Sequence, residues 1–474
     1  MKDIVIQTKF KNILIILIVV MLIESGCTKL IEIPPPLDTI TTGEAFEDSA
    51  NAVSSVSGIY GMINNTGTTP EFSNGLLAEV LGLYTDESVI VGTSGFRNYY
   101  NTQLLPDDAT IFSGFWAKAY AQIYQTNACV EGLRKSSLAA SVKNRLLGEV
   151  LVIRSFLYFQ ITNIFGGVPY ITSTDWRATS KVGRSQKAEI LTNIIKDVEE
   201  AAGLLDESYN NALNERIRVN KFVALGLLSK LYLEAGDWQK SIITSSAVID
   251  NSSTYFLEPN HKDVFLRSSH EAILQWALNP ALYPYNVTSQ GFRMVPNTGS
   301  IPRYAMDDSL LAQFEYGDLR RVNWIDSAVT SGKKRFFSIK YKNGPKQSSP
   351  SIEPTEYYTL MRLAEIMFVR AEAYARLSQF QSSVDDINRI RLRSGLASIV
   401  SATNIEEAIG LVIMEKRKEM FWENGQRYFD LKRTGRMNDV LKKRKPNWLV
   451  FKIDMPIPLV EIQRNPFLEQ NSGY

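Results

Sequence analysis

Two histidines, His261 and His270, are all the imidazole in this 474-residue chain. Imidazole is the side chain best suited to carry a proton near neutral pH and a common zinc ligand. Both stand among ordinary residues of an irregular stretch, which predicts surface or loop histidines in place of ligands or general bases. The sequence holds no Gly-x-Gly-x-x-Gly, Walker loop, Cys-x-x-Cys or Gly-x-Ser-x-Gly, so the usual phosphate, thiolate and serine chemistries lack their residues. No catalytic residue, metal ligand or cofactor is assigned, and the chain reads as a non-enzyme. Fifty acidic residues still offer carboxylate pairs that could act on a glycosidic bond, and their separation is set by the fold. Better supplied is the equipment for holding a sugar: ring faces for pyranose C–H surfaces, with amides and guanidinium groups for hydroxyls. Phe96-Arg97-Asn98-Tyr99-Tyr100-Asn101 interleaves rings with amides in a loop, and Tyr283, Tyr285 and Trp324 lie in a second irregular stretch. Asn98, Tyr99, Tyr100, Tyr283 and Trp324 are therefore the candidate ligand-binding residues. The competing reading is that these rings only pack.

Composition narrows the partners. Fifty-two basic residues against fifty acidic ones leave a net charge near +2, with no block of like charge to track a nucleic-acid backbone. Lys442-Lys443-Arg444-Lys445 is short and isolated and reads as a solvated helix end. The N-terminus is different from the rest. Lys2, Lys9 and Lys11 precede an apolar run over residues 13–23. As a helix that run would span about 16 Å, against a hydrocarbon core of about 30 Å. Residues 1–26 thus read as a signal peptide and not a membrane span. The run ends at Glu24-Ser25-Gly26-Cys27, which resembles a bacterial lipobox, with Glu24 where an aliphatic residue is usual. Cys27 would be diacylated and become the mature N-terminus. Cys129, the other cysteine, falls in an apolar helical stretch and reads as a small buried residue.

The elements that must position the candidate rings are mainly helical. After a stiff leash ending in Pro34-Pro35-Pro36 (residues 27–43 with the anchor), one body spans 44–474. Apolar residues recur at three and four over 52–63, 115–133, 146–165, 190–205 and 219–235, then over 361–377, 384–393 and 405–421. Between about 255 and 358 the period breaks, Pro, Gly, Ser and Asn abound, and strand-like pieces such as 336–341 occur. That stretch is too long for a simple connection and predicts an elaborated region laid over the helices. Tyr232, Trp238, Ser241 and Ile242 are matched 142 residues later by Tyr374, Phe380, Ser383 and Val384. This is the pattern of a tetratricopeptide hairpin, in which a small residue lets the second helix approach and a bulky ring fills the corner. In the last long helix Thr403 and Glu406 predict a capping box. Arg417 falls on its apolar stripe, which demands carboxylate partners, with Glu419, Glu423 and Asp430 nearby in sequence.

Taken in order, several segments resemble the SusD/RagB family of outer-membrane nutrient-binding lipoproteins, over nearly all of residues 27–474. They are Trp116-xxx-Tyr120-xx-Ile123-xxx-Asn127, then Gly148-Glu149 and Arg154 leading to Phe165-Gly166-Gly167-Val168-Pro169, then Gly236-Asp237-Trp238. Arg362-xx-Glu365, Ala371-Glu372-Ala373, Asn388-xx-Arg391-xx-Ser394-Gly395 and Glu415-xx-Lys418-Glu419 follow. Glu423-xx-Gln426-Arg427-xx-Asp430-Leu431, Ile457-Pro458-xx-Glu461, Asn465-Pro466 and Gln470-Asn471-xx-Tyr474 complete the set. The resemblance implies a helical body anchored at the outer leaflet of a Gram-negative outer membrane, facing the exterior. It also implies a SusC-like TonB-dependent barrel as partner and a glycan, or in some cases a peptide, as ligand. Family members facing outward usually carry an acidic cluster after the lipidated cysteine, where residues 28–32 offer only Glu32. Three functions remain open: capture of a nutrient for import, a surface glycosidase, and a structural lid on the barrel.

Overall fold

The computed structural model describes residues 44–64, 71–209, 214–297 and 299–474. The signal peptide, Cys27 and the leash lie outside the described residues. Phe46–Tyr474 forms one compact unit.

Its centre is α4 (Ala140–Phe165), a 26-residue helix buried at every position from Leu146 to Phe165. A helix buried on all sides must be wrapped, and α4 is flanked by α1 (Ser49–Asn64), α3 (Ala117–Lys135) and α5 (Lys187–Leu204). Cys129 is buried on α3, and burial pushes its thiol up to about 12. After α4 the chain turns at Gly166, where φ is +77°. At the next residue, Gly167, a side chain would meet the Ser185 carbonyl at 2.6 Å, so the Gly-Gly pair permits a close backbone approach.

Two helical hairpins follow the expected repeat. The first is α6 (Lys221–Ala235) with α7 (Trp238–Ile249), turning at Gly236 in the left-handed region and capped by Asp237. The second is α8 (Leu363–Arg376) with α9 (Phe380–Arg393). Ser241 and Ser383 are fully buried at the close approach, and the Ser241 hydroxyl donates to the Ser229 carbonyl across its hairpin. Trp238 and Tyr374 close over Leu233, Ile242, Val369 and Ala373, joining α7 to α8. Phe380 packs on Ala375, Val384 and Ile409, joining the second hairpin to α10 (Ile405–Glu419). The result is a mainly α, tetratricopeptide-like stack.

Three two-stranded antiparallel sheets hold the elaborated region. β1 (Ser88–Ile90) pairs with β3 (Tyr304–Met306), β2 (Ala272–Trp276) with β6 (Tyr358–Arg362), and β4 (Ile325–Thr330) with β5 (Lys333–Ser338). Because β2 and β6 bracket the irregular stretch, their pairing closes it onto the stack. Met361 therefore belongs to a strand and not to the following helix, which starts at Leu363. The cap of α10 also sits one residue later than expected. Asn404 accepts from the Glu407 amide, and the Glu407 carboxylate answers the amide and hydroxyl of Thr403.

Candidate ligand-binding site

The residues 97–100 form a single helical turn, and one turn cannot face all its side chains the same way. Arg97 and Asn98 are exposed, while Tyr99 is wholly buried. The Tyr99 ring lies edge-on to Phe96 and Phe115, and its hydroxyl donates to Asp108 at 2.9 Å. Tyr100 is half-buried under the Lys445 ammonium, 4.2 Å from the ring centre. That Lys445 is itself buried and donates to the Leu83 carbonyl, so the basic run is solvated only over residues 442–444. Tyr99 thus offers no face to a ligand, and the expectation for it is corrected.

Trp324 is corrected for the same reason. It is 0% exposed and its indole N–H donates to the His261 carbonyl. The ammonium of Lys340 and the guanidinium groups of Arg362 and Arg393 surround its ring at 4.8 to 5.8 Å. These cations belong to a buried ionic lattice. Arg362 pairs with Glu271, Glu419 and Glu423, Arg320 with Asp318, Glu415 and Glu419, and Lys340 with Glu423. Burial works against the charge on Glu419, but Arg393, Arg362 and Arg320 together hold its carboxyl well below the usual range. Arg417 finds its partners elsewhere than expected, in Asp86 and Ser309, because Glu419 and Glu423 are committed to Arg362 and Asp430 to Lys416 and Arg433. His261, expected as a surface or loop histidine, does lie in a turn but is only 2% exposed beside Trp324, and burial holds its ring down to about 3.

What the fold does bring together is the loop before residue 97 and the Tyr283 segment. Pairing of β1 with β3 places residues 91–94 against 303–304, with the amides of Val91 and Gly92 donating to the Arg303 carbonyl. Ser94 and Tyr304 share a hydrogen bond of 3.1 Å, and Tyr304 donates to Glu79, a buried carboxylate on α2 (Leu76–Tyr84). Arg293, on the short helix Ser289–Met294, grips the same Glu79 with two donors. Its guanidinium carbon is 5.9 Å from the Phe96 ring. The preceding residue, Phe292, meets Tyr283 edge-on at 5.3 Å, and Tyr283 meets Tyr285 at 5.5 Å. Tyr283 is 45% exposed, and Phe96, Phe292 and Tyr285 are half-buried. Phe96, which lies beside Arg293, and Phe292 with Tyr283, next to Arg293 in the chain, are partly exposed rings drawn together at the Arg293–Glu79 ion pair, and Arg97 and Asn98 follow Phe96 in sequence. Phe292, Arg293 and Glu79 were not expected in it, since no local pattern marks them.

Two family models match this chain. One, described as starch-binding and associating with the outer membrane, covers residues 47–233; the other, described as the SusD family, covers residues 313–474. The chain belongs to the SusD/RagB family. Among SusD relatives it is 25% identical to SusD-like protein P2 of Formosa agariphila, over 98% of this chain and 100% of that one. A SusD superfamily structure from Bacteroides vulgatus superposes with a TM-score of 0.77 at 19% identity, covering 90% of this chain and all of the other. A laminarin-binding SusD-like protein superposes with a TM-score of 0.74 at 21% identity, again covering 90% and 100%. These likenesses establish a SusD-type fold. No helix among the described residues is long and apolar enough to cross a membrane.

Proposed function

We propose that this SusD-family chain captures a glycan on the surface formed by Phe96, Phe292 and Tyr283, and does so without cleaving it. The observation that carries the reading is the convergence of two aromatic segments, distant in sequence, on the Arg293–Glu79 pair. Such a surface supplies partly exposed rings for sugar faces, with Arg97 and Asn98 available for hydroxyls. The starch-binding description of the family and the laminarin-binding neighbour support the ligand class. Glu79, the carboxylate nearest these rings in the network, is buried and committed to Arg293 and Tyr304, which suits retention over proton transfer.

The same reading attaches the chain to the outer membrane through lipid on Cys27, facing the exterior, and gives it a SusC-like TonB-dependent barrel as the recipient of its cargo. A tether would hold the body near that barrel at high effective concentration. The test is electrophoresis of the purified full chain through gels containing starch, laminarin and other polysaccharides, with release of reducing ends followed in parallel. Retardation by at least one glycan without release is expected. Retardation by none, binding of peptides alone, or steady release of reducing ends overturns the proposal.

A further inference from the structure

A second set of rings lies on another part of the molecule. Trp116 ends a π-helical turn that continues into α3, so Trp116, Tyr120 and Tyr124 recur at four-residue spacing along one side of a helix. Opposite them stand Glu461 and Arg464 of the short helix Leu459–Arg464, with Leu468 beyond. Residues 169–182 supply the third wall, and the three walls enclose an open cleft of about 410 Å³. That is within the size range of small-molecule sites, and no residue of the Phe96–Tyr283 surface lines it.

The walls are braced against one another. Tyr120 donates to the Pro169 carbonyl, Asn127 to that of Ile171 and Asn465 to that of Val182, each at 2.8 to 2.9 Å. These bonds have a second consequence. The carbonyls lining the loop wall are already occupied, whereas an extended peptide would need unpaired backbone groups at an edge. What the cleft leaves unused lies on side chains. Trp116 is 3% exposed, lines the cleft, and its indole N–H meets no acceptor among the described residues. Tyr124 is 52% exposed, and its hydroxyl meets no partner among the described residues. Arg464 spends one donor on Glu461 at 3.0 Å, leaving donors on the first and an acceptor oxygen on the second. Rings on one side with both donors and acceptors on the other suit hydroxyls, which donate and accept at once.

We infer that this cleft is a second oligosaccharide site, with Tyr124 and Tyr120 stacking on a sugar and Trp116, Arg464 and Glu461 bonding its hydroxyls. The inference rests on the reading of the chain as a glycan-binding protein. Two sites on one body would let a polysaccharide engage at two points and gain avidity.

The test is calorimetric titration of the full chain with laminarihexaose and with maltohexaose. Two sites per chain are expected for at least one of them. Tyr124→Ala, which removes an exposed ring, weakens one site at least tenfold and spares the other, and Tyr283→Ala does the converse. Trp116→Phe keeps the packing on Phe165 and removes the N–H, and it weakens the same site as Tyr124→Ala. A single site lost in Tyr283→Ala and untouched by Tyr124→Ala overturns the cleft and leaves the proposed function standing. A single site lost in Tyr124→Ala alone supports the cleft and overturns the Tyr283 surface. No heat with either sugar overturns both. Unchanged sugar binding in Tyr124→Ala, together with loss of a co-purifying barrel, makes the cleft a protein dock and overturns the inference.

Discussion

Tyr99 and its neighbours separate rings that build the site from rings that touch a ligand. Tyr99 is 0% exposed, lies edge-on to Phe96 at 5.9 Å and to Phe115 at 6.3 Å, and donates to Asp108. Truncating a buried ring to alanine costs roughly 3 to 5 kcal/mol through lost contacts and the cavity left behind. Tyr99→Ala should therefore lower the unfolding free energy by about that much. Part of any change in affinity would then follow from a loosened Phe96. Tyr99→Phe is the cleaner variant. It keeps the ring and removes one hydrogen bond to Asp108, whose same oxygen still accepts from the amides of Thr110 and Ile111. The expected cost is about 1 kcal/mol, below the usual range for a bond to a charged acceptor because that oxygen keeps its two amide donors. Urea unfolding followed by far-UV circular dichroism measures the stability, and gel retardation on the best polysaccharide measures binding. A small loss of stability with unchanged retardation is expected for Tyr99→Phe. Full stability with retardation abolished would refute the assignment, because the hydroxyl would then be touching ligand.

Three other outcomes follow from the same structure. Glu419→Gln removes the carboxylate shared by Arg320, Arg362 and Arg393, and breaking such a buried pairing should cost roughly 3 to 5 kcal/mol in urea unfolding; a loss below about 1 kcal/mol would contradict the lattice. His261 titrates near 6.5 when unfolded and near 3 in the fold, so between these values the unfolded chain binds the extra proton and stability falls as pH falls. The slope approaches about 1.4 kcal/mol per pH unit below 6.5, and His261→Gln should flatten it between pH 6.5 and about 4.5, before carboxylates begin to protonate. An unchanged slope in that window would place the sensitivity elsewhere. Cys27→Ala should leave glycan retention in solution intact while moving the chain from the detergent-rich to the aqueous phase on partition; a wild-type chain already in the aqueous phase would argue against the lipid.

The long helices were legible because each half-buried one carries the 3.6-residue period that buries one side, as in α5 and α9. The repeat of Trp238 with Ser241 and Phe380 with Ser383 likewise announced the hairpins, since spacing alone sets which residue fills a corner. By contrast α2 is buried at all nine positions, so its sequence has no polar side to reveal a helix. The start of α8 was misplaced because Met361 and Arg362 continue an apolar run whose strand character comes from pairing with β2. In the candidate site, rings and amides flagged the right neighbourhoods, yet sequence does not say which way a ring points. Asn98 and Tyr99 are adjacent and end on opposite sides of one turn. Trp324 looked like a loop aromatic, but its environment is made by Lys340, Arg362 and Arg393 from three separate segments. Phe292 and Arg293 join the surface only because Glu79, more than 200 residues earlier, receives the guanidinium, as the sequence separation of 214 records.

The most direct measurement is the affinity of Tyr283→Ala for the polysaccharide that retards the wild-type chain most, with the unfolding midpoint recorded on the same preparation. Tyr283 is 45% exposed and its ring meets Phe292 and Tyr285 only edge-on, so its loss should leave the midpoint nearly unchanged. Affinity at this surface should fall at least tenfold, about 1.4 kcal/mol or more, the scale of one stacked ring. Unaltered affinity in the folded variant would contradict the account.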